Sequence, residues 1–273
     1  MRRYFDDTGF WLVLAVLAVT LLFLIAPIVV AIMMSFDGRE YLGKFPPPNY
    51  SLHWYANFFS DSFYLKGLRT SLIIALVATV VSTTAGVSAA IVLDRYEFPG
   101  KSGLEALFLS PLLVPAVVIG FALLLFFALI GVFDGFTRLL GGHIIITFPY
   151  TVRTTLAGLV GIRKTLTEAA MSLGANERRA FWDVTFPLAR TGMIAGAVFA
   201  FAFSMDDVAV SLFLTSPDTY TLPVAMTSMM RTNFDLTIAA AAVVLMVFTV
   251  GLIFVLDWIV GIDRLIGTGV FRS

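Results

Sequence analysis

Two adjacent carboxylates, Asp206 and Asp207, close a run of apolar and small residues that begins at Gly192. Carboxylates in such surroundings are costly, and they face a bundle interior, a partner group or a water-filled cavity. A pair of them suits a di- or polycation. On a helix they lie about 22 Å beyond Gly192, past the middle of a bilayer. Asp207 continues the stripe Gly192, Gly196, Ala200 and Ser204, whereas Asp206 points about 100° away. The competing reading is structural: an ion pair with Arg153, or a polar helix end. Arg153 either snorkels to the cytoplasmic face or pairs within the bundle. His53 and His143 are far apart and read as interfacial polar residues, because a metal site needs several ligands. Gly100-Lys101-Ser102 lacks the glycine a phosphate loop needs five residues earlier, where Arg95 stands. No Ser-His-Asp set or dinucleotide motif is present, so covalent catalysis and an energy source of its own are not expected.

The elements that must hold these residues are membrane spans. Of 273 residues, 59% are hydrophobic and 13% charged, with a mean hydropathy of +0.93. A soluble domain is near half apolar and a quarter charged. The net charge is zero and there is no cysteine, which argues against nucleic-acid partners and excludes disulfides and thiolate metal sites. Six apolar runs read as spans over residues 10–36, 71–93, 106–132, 144–159, 192–214 and 238–256. The first is too long for a signal-peptide core and is expected to remain as a span. Asp37 to Thr70, with Trp54 and Tyr55, reads as an amphipathic outer segment. The second span carries the stripe Ala78, Ser82, Gly86 and Ala90, which lets another helix approach closely. Pro111 and Pro115 should kink the third. Gly131 to Gly142 and Ser216 to Thr237 read as loops, and Asp257 to Ser273 as a tail.

Six spans place both termini on one side. Arg2, Arg3, Arg95, Lys101, Arg163, Lys164, Arg178, Arg179, Arg190, Arg264 and Arg272 then share the side of the N-terminus. Arg39, Lys44, Lys66, Arg69, Arg138 and Arg231 take the other. Basic residues favour the cytoplasm, so the termini and the polar region 162–190 between spans four and five read as cytoplasmic. In that region Thr165 and Glu168 have capping-box spacing. Gly174 sits where a left-handed residue ends a helix. Asn176 can cap a second helix, and Pro187 fits its end. Two short helices bent at Gly174 are expected.

Glu168-Ala169-Ala170, three residues, Gly174, nine residues, then Val184-x-Phe186-Pro187 resembles the EAA motif of membrane subunits of binding-protein-dependent ABC importers. Val184 and Phe186 depart from the usual Ile and Leu but stay apolar. Ser204-Met-Asp-Asp-Val208, Thr221-Leu-Pro223, Trp54-Tyr55 and the span pattern are similar to the spermidine/putrescine branch over nearly the whole chain. The resemblance implies an all-α membrane protein, a single transmembrane domain of residues 1–273 with the methionine-importer-like fold. Its cytoplasmic coupling loop would act through Glu168, Ala169, Ala170, Gly174 and Pro187. It implies a multi-pass subunit of the bacterial inner membrane that forms half of a pathway working by alternating access. Implied partners are a dimer of ATP-binding subunits that hold ATP and Mg, an external solute-binding protein, and a second permease, a related chain or a second copy. Asp206 and Asp207 would line the path of putrescine or spermidine. The alternatives are another small solute, such as an amino-acid derivative or opine-like compound, or an ATPase-independent carrier or channel.

Overall fold

The structure, a computed structural model, describes residues 2–41 and 43–260. Residues 261–273, including Arg264 and Arg272, lie outside them. Among the described residues every regular element is helical, and extended pairing is limited to the bridges Asp37–Tyr50 and Ser216–Thr219. The helices are α1 (Arg2–Ser35), α2 (His53–Ser60), α3 (Ser62–Arg95), α4 (Lys101–Leu109), α5 (Ala116–Leu129), α6 (Gly135–Leu159), α7 (Lys164–Ser172), α8 (Glu177–Ala180), α9 (Phe186–Asp206), α10 (Ser211–Leu214), α11 (Leu222–Thr232) and α12 (Thr237–Val260). Helices stand at all six expected positions. Among the described residues, three segments are long and apolar enough to cross a membrane: Gly9–Ser35, Ser62–Arg95 and Glu177–Asp206. The third expected span is broken, because α4 with its 3-10 extension Ser110–Leu112 meets α5 at 104°. Pro111 is the second residue of the 3-10 turn and Pro115 caps α5, so two missing donors sharpen the expected kink into a corner.

Several boundaries differ from the sequence reading. The second span begins at Ser62, not 71. The fourth helix begins at Gly135 inside the expected loop, because Asp134 caps it: its Oδ2 accepts from Thr137 N and Oγ1, both at 2.7 Å. Gly141 and Gly142 are packing residues within that helix. A Cβ on Gly142 would strike Leu214, and one on Gly141 would lie 2.8 Å from Phe127 Cζ. The fifth span ends at Asp206 rather than 214, and α11 fills part of the second expected loop.

The chain forms two compact units: Met1–Tyr64 with Met226–Val247, and Leu65–Ala225 with Phe248–Ser273. In the first, every side chain from Gly9 to Val30 is exposed, while Met34, Trp54, Leu236 and Ala240 form a small core. The expected amphipathic surface segment contains α2, which is anchored inward. Its Trp54 is 4% exposed and donates from Nε1 to the Asp37 carbonyl at 2.7 Å.

The second unit is organised on α6. One cluster joins Ile74, Leu123, Phe127, Leu139, Ile146, Val210 and Leu214. Its other cluster joins Ala90, Leu93, Val152, Leu159, Ala189 and Met193. The α3 stripe is buried as expected: Ala78, Ser82 and Ala90 are fully covered. Ser82 Oγ lies 2.7 Å from Thr147 Oγ1, and Thr151 Oγ1 donates to the Ser82 carbonyl at 2.8 Å. The α9 stripe meets α6 antiparallel. A Cβ on Gly192 would lie 2.6 Å from the Thr154 carbonyl oxygen and 2.8 Å from Gly158 Cα. Small residues therefore set both helix contacts.

Candidate coupling segment and carboxylate site

The segment 164–190 starts differently from the sequence reading. Helix α7 begins at Lys164 with Arg163 as its N-cap, which makes no side-chain cap bond. The Thr165–Glu168 capping box is not formed, because the helix starts two residues too early for Thr165 to stand at its cap. The stop is as expected. Gly174 has φ +94°, Ala175 N donates to the Ala170 carbonyl at 3.1 Å, and Gly174 N donates to the Met171 carbonyl at 3.0 Å. This pair of bonds is a Schellman motif. Asn176 caps α8, accepting from Arg179 N at 2.8 Å.

Pro187 does not end this helix. Helix α8 runs through a π-helical turn, Phe181–Thr185, straight into α9, with Pro187 in the first turn of α9. The amide of Phe186 reaches back to the Phe181 carbonyl. Proline lacks a donor and crowds the preceding turn, and the wider turn accommodates it. Glu168, Ala169, Gly174 and Pro187 are exposed, and Ala170 is half-buried. Leu173, 89% exposed, and Trp182 add apolar surface.

Sequence reasoning missed what holds this segment. Arg95, the last residue of α3, donates from Nη2 to Thr185 Oγ1 at 3.1 Å. Its Nη1 lies 3.8 Å from Glu177 Oε1, and its guanidinium carbon sits 4.9 Å from the Phe181 ring centre. The signal was available in the spacing: Glu177, Phe181 and Thr185 recur every four residues, and so share one helix face.

The two aspartates have different surroundings. Asp206 ends α9 and is exposed. Asp207 is only 8% exposed. Its Oδ2 accepts from Ser211 N at 2.8 Å and from Ser211 Oγ at 2.9 Å, and Oδ1 accepts from Val210 N at 3.4 Å. It closes the turn that starts the one-turn helix α10. His143 is not interfacial. It is fully buried, with Nδ1 2.7 Å from Ser204 Oγ and Nε2 2.9 Å from Ser211 Oγ. Because Ser211 gives its proton to Asp207, its oxygen accepts from His143 Nε2–H. Nδ1 is then left to accept from the Ser204 hydroxyl. One chain of bonds, Ser204–His143–Ser211–Asp207, ties α6, α9 and α10 together at the point where α9 stops.

Arg153 is exposed and forms no ion pair among the described residues. On α6 it neighbours Thr154, which abuts Gly196. That is ten residues, or about 15 Å, along α9 from Asp206, so Arg153 is not paired with either aspartate. Gly100-Lys101-Ser102 follows a helix instead of a strand, and Lys101 Nζ pairs with Glu97 Oε1 at 2.8 Å. Among the described residues no group of three or more His, Cys, Asp or Glu side chains could hold a metal ion.

Residues 82–262 match the family model described as binding-protein-dependent transport system inner membrane component. The chain belongs to this family. It is therefore a membrane component of a binding-protein-dependent importer. Among its relatives is the spermidine/putrescine transport system permease protein PotC of Shigella flexneri. That protein is 30% identical over 90% of this chain and 92% of its own length. The putrescine transport system permease protein PotI of Escherichia coli K12 is 28% identical over 86% of this chain and 85% of its own. A molybdate/tungstate permease of Thermococcus kodakarensis is 27% identical over 74% of this chain and 81% of its own. In fold the chain is similar to a subunit of a bacterial alginate ABC transporter, with TM-score 0.72, 14% identity, and 95% and 98% of the two chains covered.

Proposed function

We propose that this chain forms half of the translocation path of an ATP-driven importer for small organic polycations of the putrescine and spermidine type. The observation that carries the substrate class is the similarity to spermidine/putrescine permeases over nine-tenths of the chain. The exposed Asp206 carboxylate at the end of α9 supports it. Asp207 takes a supporting role, holding the turn beside Asp206.

Glu168, Ala169, Ala170, Gly174 and Pro187 belong to the segment that docks on the ATP-binding subunits. Those subunits carry ATP and Mg, and this chain performs no covalent chemistry. A second permease, related or identical, completes the path. An external binding protein delivers the solute to the side opposite the termini, which are cytoplasmic. ATP-driven closure of the partner moves the bent pair α7–α8, and rigid-body movement of the spans exchanges inward-open for outward-open.

The test is ATPase stimulation and uptake in proteoliposomes containing the whole complex. Putrescine and spermidine are compared with neutral solutes, amino acids and molybdate. Stimulation by the polyamines alone is expected. Stimulation by molybdate or a neutral solute instead would discard the polycation assignment and leave the importer class standing.

A further inference from the structure

The coupling segment is joined by the chain to α6 at one end and to α9 at the other, but α3 has no such connection to it. We propose that Arg95 is the positioning residue that carries movement of the coupling segment into α3. This inference rests on the coupling reading of residues 164–190.

The geometry is specific to a guanidinium. Arg95 lies over the Phe181 ring while its nitrogens reach Thr185 Oγ1 on one side and Glu177 Oε1 on the other. A planar fork can stack and donate in its plane at once, whereas an ammonium cannot do both. Thr185 is 4% exposed and lies 3.4 Å from Thr167 Oγ1 on α7. One arginine therefore meets the face of α8 and its π turn and, through Thr185, touches α7. Open clefts flank it. One of about 340 Å³ is lined by Arg95 with Tyr96, Thr167 and Glu168. Another of about 430 Å³ is lined by Arg95 with Ser88, Ile91 and Arg178. Between these two spaces, the guanidinium bridges the end of α3 to the segment.

A bland role is also available. A cation in the last turn of α3 complements the helix dipole, and lysine serves that role as well as arginine. Arg95→Lys separates the two. Thr185→Val removes the hydroxyl at nearly constant shape and gives an independent variant. In the reconstituted complex, the readouts are ATPase co-purification, ATP hydrolysis and solute taken up per ATP.

Arg95→Lys and Thr185→Val should each assemble normally and hydrolyse ATP, yet lose about fivefold in uptake per ATP, the lower end of usual coupling strengths. Parent-like uptake per ATP in Arg95→Lys overturns the inference. Loss of complex assembly overturns it too, since it would make Arg95 a structural residue. Glu168→Lys is run alongside. If it uncouples while Arg95→Lys does not, only the Arg95 inference fails. If Glu168→Lys itself behaves as the parent does, the coupling reading fails with it.

Discussion

Replacing Asp207 by alanine should destabilise the protein far more than replacing Asp206, although the two are neighbours. Asp207 accepts two short bonds from Ser211, at 2.8 and 2.9 Å, and a weak one from Val210 at 3.4 Å. A net 1.5–3 kcal/mol for each bond to a charged group puts the loss of the two short ones at about 3–6 kcal/mol. Asparagine keeps one acceptor. Its carbonyl can serve Ser211, but its amide then faces the Val210 N–H, so about 1–2 kcal/mol is lost. Asp206 is exposed, so Asp206→Asn should leave stability within about 0.5 kcal/mol. Its effect should fall on transport. An exposed ion pair contributes at most about 1 kcal/mol, which corresponds to about a fivefold rise in apparent KM for a cationic solute. The assay is thermal unfolding of each purified variant in detergent, followed by concentration-dependent uptake in proteoliposomes. The expected order of stability is parent, Asp206→Asn, Asp207→Asn, Asp207→Ala. An Asp207→Ala protein that melts with the parent would refute the capping argument. Parent-like uptake kinetics in Asp206→Asn would remove the carboxylate from the path.

Three further outcomes follow from separate parts of the fold. Gly192→Val should lower the yield of folded protein in size-exclusion profiles, because its side chain would meet the Thr154 carbonyl and Gly158 and force α6 and α9 apart at a cost of about 1–3 kcal/mol or more. Gly174→Val should strain the left-handed stop between α7 and α8 by about 1–2 kcal/mol and, on the coupling reading, lower uptake per ATP while insertion persists. Arg39 holds the Asp37 carboxyl below the usual range, chiefly by a side-chain hydrogen bond. A carboxyl with a depressed pKa in the folded state contributes stability above its unfolded pKa of about 3.9 and loses it as pH falls through the folded value. The parent should therefore outlast Arg39→Ala in thermal melts above about pH 4, and the gap should close in more acidic buffer.

The features legible from sequence were those whose cause is local or periodic. Small residues every fourth position foretold which faces of α3 and α9 are buried. Gly174 foretold the stop of α7, since little else tolerates that backbone. Boundaries failed where a residue had two possible uses. Gly141 and Gly142 read as loop, and only the neighbouring Phe127 and Leu214 reveal that they clear space inside α6. Pro187 read as a terminator, but a π turn lets the chain pass. The aspartates were found by their charge. Their division of labour depends on His143 and Ser211, which lie 64 and 4 positions from Asp207, and no spacing rule joins such residues. The shared face of Glu177, Phe181 and Thr185 was legible in their spacing, but not that Arg95 meets it, because Arg95 lies across the fold.

The continuity from Glu177 to Asp206 gives the molecule a lever. The helix is 30 residues long, or about 45 Å, and its tightest crossing is where Gly192 meets Gly158. From that crossing it is 15 residues back to Glu177 and 14 forward to Asp206, arms of about 22 and 21 Å. Arms so nearly equal make a balance beam. On the coupling reading, when the helix tilts rigidly on its glycine fulcrum, a push on the Glu177 end reappears at the carboxylate end with the same size and the opposite direction. Such a beam neither amplifies nor attenuates the stroke, so the travel of the Glu177 end equals that of Asp206.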